Sequence, residues 1–338
     1  MKMCCVLQST PSSDWKLARQ VGVEGAVFGL IGHYLKDPSI VSYRGMKNLM
    51  DQLAEVGLTL TVIEGDPVPL EQTRRGLPGR DKEIDLYLDV IKVLGDLDIR
   101  VMCPNFMAGI NWVRTTVDLP IRGGALTTAF READLAPKVV DLGGAELTEE
   151  KMWDNLYYYY DRVLPVAEAN GVKLGMHPDD PPISPVHNVP RILTSPDAYR
   201  RLFAAFPSDS NGVTFCQANF MLMGGDIYEL AEEFGRMGKI FFVHFRDVKG
   251  TARDFEETFH DNGPTDMARM MEIYLKYCPD APIRPDHVPT LEGDENVNYG
   301  YTMRGRLFAI GYIKGLIDGL RPRVVTAEAG KGALMKDG

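Results

Sequence analysis

The chain has 338 residues, a formal net charge of −10 and an apolar share of 45%, enough for a sizeable core. It carries no basic stripe, which argues against nucleic acid as a partner, and no apolar run near the ~18 residues of a membrane span. The five cysteines, Cys4, Cys5, Cys103, Cys216 and Cys278, form no C-x-x-C pair, and the N-terminal stretch lacks the apolar core of a signal peptide, so a reduced, cytoplasmic protein is expected.

In chain order, short apolar runs rich in β-branched residues alternate with amphipathic stretches. A strand at Met3–Gln8 leads through the capping residues Pro11-Ser12-Ser13-Asp14 to a helix over 14–21. A strand at Gly25–Leu30 precedes a helix over Gly45–Val56, where Met46, Leu49, Met50, Leu53 and Val56 recur by threes and fours. Leu58–Glu64 and the helix Arg80–Leu97 follow, then the strand Arg100–Asn105 and, after a long gap, the helix Glu149–Ala169. The remaining strands are Val172–His177, Gly212–Cys216, Lys239–Phe245 and Ala281–Asp286, with helices at Pro196–Ala205, Ile227–Met237, Asp266–Tyr277 and Met303–Leu320.

Alternation repeated eight times implies a parallel sheet with crossover helices. Eight units favour a single α/β domain folded as a (β/α)8 TIM barrel over a doubly wound sheet. The barrel would span 1–320, with an insertion at about 111–147 after the fourth strand and a tail over 321–338 expected to be loose. Within the insertion, Pro120-Ile121-Arg122-Gly123-Gly124-Ala125-Leu126 reads as a small hairpin. Beside a barrel mouth, such a segment is either a lid or a surface loop.

Polar residues fall at the strand ends, where a parallel barrel builds its site. Glu64, Asn105, His177, Cys216 and Asp286 end five strands, and His244 lies one residue from the end of another. Because side chains at i and i+2 share a face, Thr214 and Cys216, Phe242 and His244, and Arg284 and Asp286 each point one way. Two imidazoles, a thiolate and a carboxylate suit zinc or ferrous iron, and the carboxylate also admits manganese. His287 reaches the mouth only if its strand has already ended at Asp286. Tyr299 and Tyr301 lie in a glycine-containing loop that can set a phenol over the site, and Arg246 and Arg284 are candidate carboxylate clamps.

Longer motifs carry a resemblance. They run through Val62-Ile63-Glu64, Gly76-Leu77-Pro78-Gly79-Arg80-Asp81, Asn105-Phe106-Met107 and Asn111-Trp112-Val113-Arg114-Thr115 to His177-Pro178-Asp179-Asp180-Pro181-Pro182, the most specific stretch. Pro190-Arg191-Ile192, Cys216, Val243-His244-Phe245-Arg246, Phe259-His260, Arg284-Pro285-Asp286-His287, Gly300-Tyr301 and Gly305-Arg306 follow in order. Over about residues 20–320 the chain resembles the mannonate dehydratases, a family of xylose-isomerase-like barrels. The resemblance implies a hydro-lyase that converts D-mannonate to 2-keto-3-deoxy-D-gluconate in glucuronate breakdown. It implies a divalent metal, manganese before iron or zinc, held by His177, Cys216, His244 and Asp286, and an acid/base pair of His287 and Tyr301 in either order.

Arg246, Arg284, Asn105, Trp112 and His260 are the candidate substrate contacts, a small sugar acid is the expected partner, and a homo-oligomer is expected. The chain departs from the family pattern after Cys216, where it reads Gln217-Ala218-Asn219 for Thr-Gly-Ser, and after His287, where Val288-Pro289 replaces a glycine. Those changes are expected where substrate lies. They keep open a lyase on another sugar acid, an isomerase or epimerase working through an enediolate, and a binding protein without activity.

Overall fold

The computed structural model describes residues 1–144 and 146–334; the last four residues of the expected tail lie outside the described residues. Eight strands close a parallel barrel. They are β1 (Lys2–Val6), β2 (Gly25–Phe28), β3 (Thr59–Glu64), β4 (Val101–Cys103), β7 (Lys173–Met176), β8 (Asn211–Cys216), β9 (Ile240–Phe245) and β12 (Pro282–Pro285). Their order around the barrel is β1-β12-β9-β8-β7-β4-β3-β2. The main helices are α1 (Ser13–Gln20), α2 (Tyr43–Glu55), α3 (Arg80–Asp96), α4 (Glu149–Ala169), α5 (Pro196–Ala205), α6 (Ile227–Arg236), α7 (Met267–Tyr277) and α8 (Met303–Leu334). The expected (β/α)8 fold is the observed one. No helix among the described residues is long and apolar enough to cross a membrane.

Local chemistry sets these boundaries. Side chains of Ser42, Thr148, Ser195, Asp226 and Asp266 accept backbone N–H groups at the starts of α2, α4, α5, α6 and α7, each contributing about 1 kcal/mol. On α2 the apolar stripe Met46, Leu49 and Leu53 is buried. Outward-facing strand residues such as Cys5, Phe28, Ile63 and Phe215 join the helices in the main core. Alternate residues Cys4, Val27, Val62 and Phe242 form a small separate cluster within the barrel wall's other face. The last helix runs past the expected end at Leu320 to Leu334, with Pro322 inside it.

A second sheet lies outside the barrel. The insertion after β4 folds into β5 (Thr116–Pro120) and β6 (Leu126–Arg131), joined through Ile121–Ala125 as the expected hairpin. A further hairpin after β9, formed by β10 (Val248–Thr251) and β11 (Asp254–Glu257), completes a four-stranded antiparallel sheet in the order β10-β11-β6-β5. Phe255 faces Phe130 across the β11–β6 pair, and both pack with Ile183, Val186, Ala218, Leu222 and Val248 in a cluster of their own. The 111–147 insertion is therefore one half of a structure whose other half enters the chain more than a hundred residues later. Leu126 also pairs with Thr290, tying the sheet to the loop after β12.

Candidate active site

The strand register brings the expected donors together. Cys216 lies opposite His244, and His244 lies opposite Arg284. His177 follows β7 directly, and Asp286 follows β12. One donor atom each from His177, Cys216 and His244 lie within 4.8 Å of one another. Asp286 Oδ2 is 3.7 Å from Cys216 Sγ and 3.6 Å from His244 Nδ1. His177 turns Nδ1 to the Pro178 carbonyl at 2.7 Å, and burial lowers its pKa.

Two observations fit this set to a divalent cation. His244 Nε2 is buried and makes no well-aligned hydrogen bond among the described residues, with Glu64 Oε2 3.4 Å away, a costly state for a polar nitrogen unless another partner takes it. Around the donors, the carboxylates of Glu64, Asp180, Glu257 and Asp286 face only three guanidiniums, those of Arg114, Arg246 and Arg284. A dication offsets that excess, and imidazole, thiolate and carboxylate are all transition-metal ligands.

These carboxylates are held ionised. Burial raises the pKa of Glu64, but Arg284 and His244 outweigh it and bring the value down to about 2. Glu257 is likewise raised by burial and then lowered by Arg246, His287 and Arg114 to about 2. For Asp180 and Asp286 the arginines also overcome burial, and both sit far below the usual carboxylate range.

A cavity of about 200 Å³ opens beside the donors, lined among others by Glu64, Asn105, Trp112, His177, Asp180, Arg284, Asp286, His287 and Tyr301. β12 ends at Pro285, so Asp286 and His287 have both left the strand. His287 takes a positive φ of 35°, a left-handed conformation uncommon for a side chain of its size. That turn defeats strict alternation and brings both side chains to the mouth. His287 Nδ1 is 2.9 Å from Glu257 Oε1, its ring lies 5.0 Å from that of Trp112, and it meets Tyr301 edge-on at 5.3 Å. Gly300, at φ 80°, accepts the Val288 N–H at 2.8 Å and turns the loop so that Tyr301 reaches the cavity. Tyr301 donates to Asp286 Oδ1 at 3.3 Å, and burial with the nearby Asp286 charge pushes its phenol well above the usual tyrosine range. Tyr299 stands behind Trp112, with ring centroids 5.9 Å apart.

The expected arginine clamps are placed differently. Arg246 is absent from the cavity lining and fully engaged beneath it. It donates to Asp180 Oδ2 at 2.8 Å, to Asn219 Oδ1 at 2.8 Å, to Glu257 and to Cys216 Sγ at 3.3 Å, and pairs with Asp286 at 3.0 Å. Arg284 reaches the cavity, but both ends of its guanidinium are taken by Glu64 and by Asp286 at 2.7 Å. Neither has the free fork that a substrate carboxylate would need. His260 also lies away from the lining. It donates Nε2 to the Phe245 carbonyl at 2.8 Å, and burial lowers its pKa to about 4. Asn105 and Trp112 do line the cavity.

The departures from the family pattern do not touch the cavity. A short helix, Gln217–Leu222, starts directly after Cys216 and turns these side chains into the surrounding layer. Gln217 bonds Met267 Sδ and Tyr274, and Asn219 bonds Arg246 and the Asp179 carbonyl. Val288 bridges to Gly300 and is buried, while the Pro289 carbonyl accepts from Thr302.

Three site residues came without a sequence assignment: Arg114, Asp180 and Glu257. Arg114 bonds Asp180 at 2.6 Å and Glu257 at 2.6 Å, and all three side chains are buried. Asp180 lies within the His177-Pro178-Asp179-Asp180 motif, which was the available signal. Glu257 belongs to the unforeseen hairpin.

Comparison with known proteins decides the relationship. The D-mannonate dehydratase (UxuA) family matches residues 12–142 and 144–326, nearly the whole chain. The chain belongs to this family. Mannonate dehydratases of Streptococcus pneumoniae (strain 70585) and Streptococcus suis (strain 05ZYH33) are 31% and 32% identical to it over 296 residues, 80% of each chain. The solved mannonate dehydratase of Streptococcus suis serotype 2 superposes with a TM-score of 0.87 at 29% identity, covering 96% of both chains. An L-ribulose 3-epimerase, at a TM-score of 0.58 and 15% identity over 96% of this chain and 97% of its own, shares the fold alone. Membership in the mannonate dehydratase family makes the protein a hydro-lyase.

Proposed function

We propose that the protein removes water from D-mannonate to give 2-keto-3-deoxy-D-gluconate, a step in glucuronate breakdown. His177, Cys216, His244 and Asp286 would hold the divalent metal, manganese by preference. The observation that carries this reading is the cavity that His287 and Tyr301 line together with His177 and Asp286, with Cys216 and His244 clustered against His177.

The C2 hydrogen of an aldonate is a very weak acid because it lies next to a carboxylate. A bound dication supplies the Lewis-acid stabilisation of the charge that develops on that carboxylate. Arg246 and Arg284 are already engaged and do not compete for that role. His287 is the base. Glu257 faces its Nδ1, which leaves Nε2 to take the C2 proton. The C2–H electron pair forms the C2–C3 double bond as the C3–O bond breaks. Tyr301 is the acid: its raised pKa keeps the phenol protonated, and its proton converts the departing hydroxide to water. The enol left at C2 then becomes the ketone. Asn105 and Trp112 shape the wall around the sugar hydroxyls.

A panel of aldonates incubated with manganese and scored for 2-keto-3-deoxy acid tests the reading. D-mannonate is expected to be consumed with one water lost per turnover. A product isomeric with its substrate, or turnover of another aldonate in place of D-mannonate, overturns it.

A further inference from the structure

His287 is approached from both insertions. Trp112 and Arg114 come from the segment after β4, and Glu257 comes from β11. The contacts of Glu257 are unusual in their convergence. Arg114 Nη2, Arg246 Nη1 and His287 Nδ1 all meet Oε1, while Oε2 is buried and has no hydrogen-bond partner. The two arginines do not depend on this carboxylate. Arg114 also holds both oxygens of Asp180, at 2.6 and 3.1 Å, and Arg246 holds Asp180, Asp286 and Asn219. Glu257 Oε1 is the one hydrogen-bond acceptor that meets His287 Nδ1 among the described residues. Its other close neighbours there are Arg246 Nη1 at 2.8 Å and Arg114 Nη2 at 3.3 Å, which are donors already directed at Oε1.

We propose that Glu257 is a positioning residue for His287: it accepts the Nδ1–H, fixes that tautomer and ring orientation, and leaves Nε2 on the Asp286 and Tyr301 side. Arg114 and Arg246 hold the carboxylate in place for this task. An imidazole whose far nitrogen donates to a carboxylate is locked in one tautomer, with its near nitrogen left as the acceptor. His287 Nε2 is 3.8 Å from Asp286 Oδ1, the oxygen to which Tyr301 donates, so the free nitrogen and the phenol address one region. The proposal deepens the reading above and rests on it for the role of His287. It adds that the second hairpin, remote in sequence, orients the base.

The test is Glu257→Gln, with Glu257→Asp as the conservative partner. In Glu257→Gln, kcat for D-mannonate is expected to fall about 10- to 100-fold, with KM and metal content unchanged. Glu257→Asp is expected to recover part of kcat. A kcat within about twofold of wild type, or a loss of kcat that tracks loss of metal, overturns the positioning role. A second measurement needs no turnover. In wild-type protein loaded with a diamagnetic dication, 15N imidazole spectra, with the His287 signals assigned by their loss in His287→Gln, are expected to show Nδ1–H. Nε2–H at His287 overturns the proposal. Failure to dehydrate D-mannonate would sink the function while leaving this spectroscopic answer intact.

Discussion

Replacing Arg246 by Met separates a guanidinium that clamps substrate from one that organises the site floor. Met keeps most of the length and apolar volume of the stem, so the perturbation is chiefly electrostatic. The change removes donors from Asp180, Asn219, Glu257, Asp286 and Cys216 together. None of the three carboxylates is left alone: Arg114 stays on Asp180 and Glu257, and Arg284 stays on Asp286. The cost therefore falls at the low end for a broken buried ion pair, about 3 kcal/mol. At about 2.1 cal/mol/K per residue, unfolding a chain of this length carries an entropy of about 0.7 kcal/mol/K. The expected drop in Tm is about 4 °C. Metal content should fall as well, because Cys216 Sγ loses both of its arginine donors. Thermal melts, elemental analysis and KM for D-mannonate read the outcome. A raised KM with Tm within about 1 °C of wild type would refute this reasoning and restore the clamp.

Other expectations follow from the same geometry. Tyr301→Phe should lower kcat by about 10²- to 10⁴-fold, the range for a lost general acid, with little change in metal content, since its phenol makes a long 3.3 Å hydrogen bond to Asp286; unchanged turnover would remove Tyr301 from the chemistry. Cys216→Ser should weaken metal retention, and full occupancy by elemental analysis would count against its place among the donors. His260 should make the fold acid-sensitive. Its folded pKa of about 4 lies below the ordinary 6.5, so the unfolded chain binds the proton more tightly. Its contribution is complete above pH 6.5 and is lost as pH falls from there toward about 4, reaching about 3 kcal/mol. Urea midpoints of wild type and His260→Gln should converge across that window; parallel curves would rule out the histidine as the source.

The barrel was legible because its strands and helices obey local periods. β8 and β9 are apolar runs, and α2 carries its stripe at three- and four-residue spacing. The donors were legible for a related reason: a parallel barrel collects the ends of distant strands at one face. The second hairpin was not. Val248–Glu257 is mostly polar, and Ala252-Arg253 between its strands carries no Asn-Gly or Asp-Gly turn signal. Only Phe255 and Glu257 are buried on β11, Phe255 against Phe130 of β6 and Glu257 against Arg114, Arg246 and His287, all far from them in the chain or met only in the fold. The engagement of the arginines was hidden for a similar reason. Arg246 has the residue type and strand-end position of a substrate clamp, but its acceptors Asp180, Asn219 and Glu257 meet it only in the fold.

The sheet built from two insertions constrains how this barrel mouth can be altered. Loops on a (β/α)8 scaffold are ordinarily exchangeable one at a time, which is how the architecture supports many chemistries. Here the first insertion carries Arg114 and the second carries Glu257, and the two pair through β6 and β11. Grafting either onto another barrel by itself would carry half an ion pair and an unpaired strand edge. The transferable module is 112–131 together with 248–257, and variation in one half has to be answered in the other.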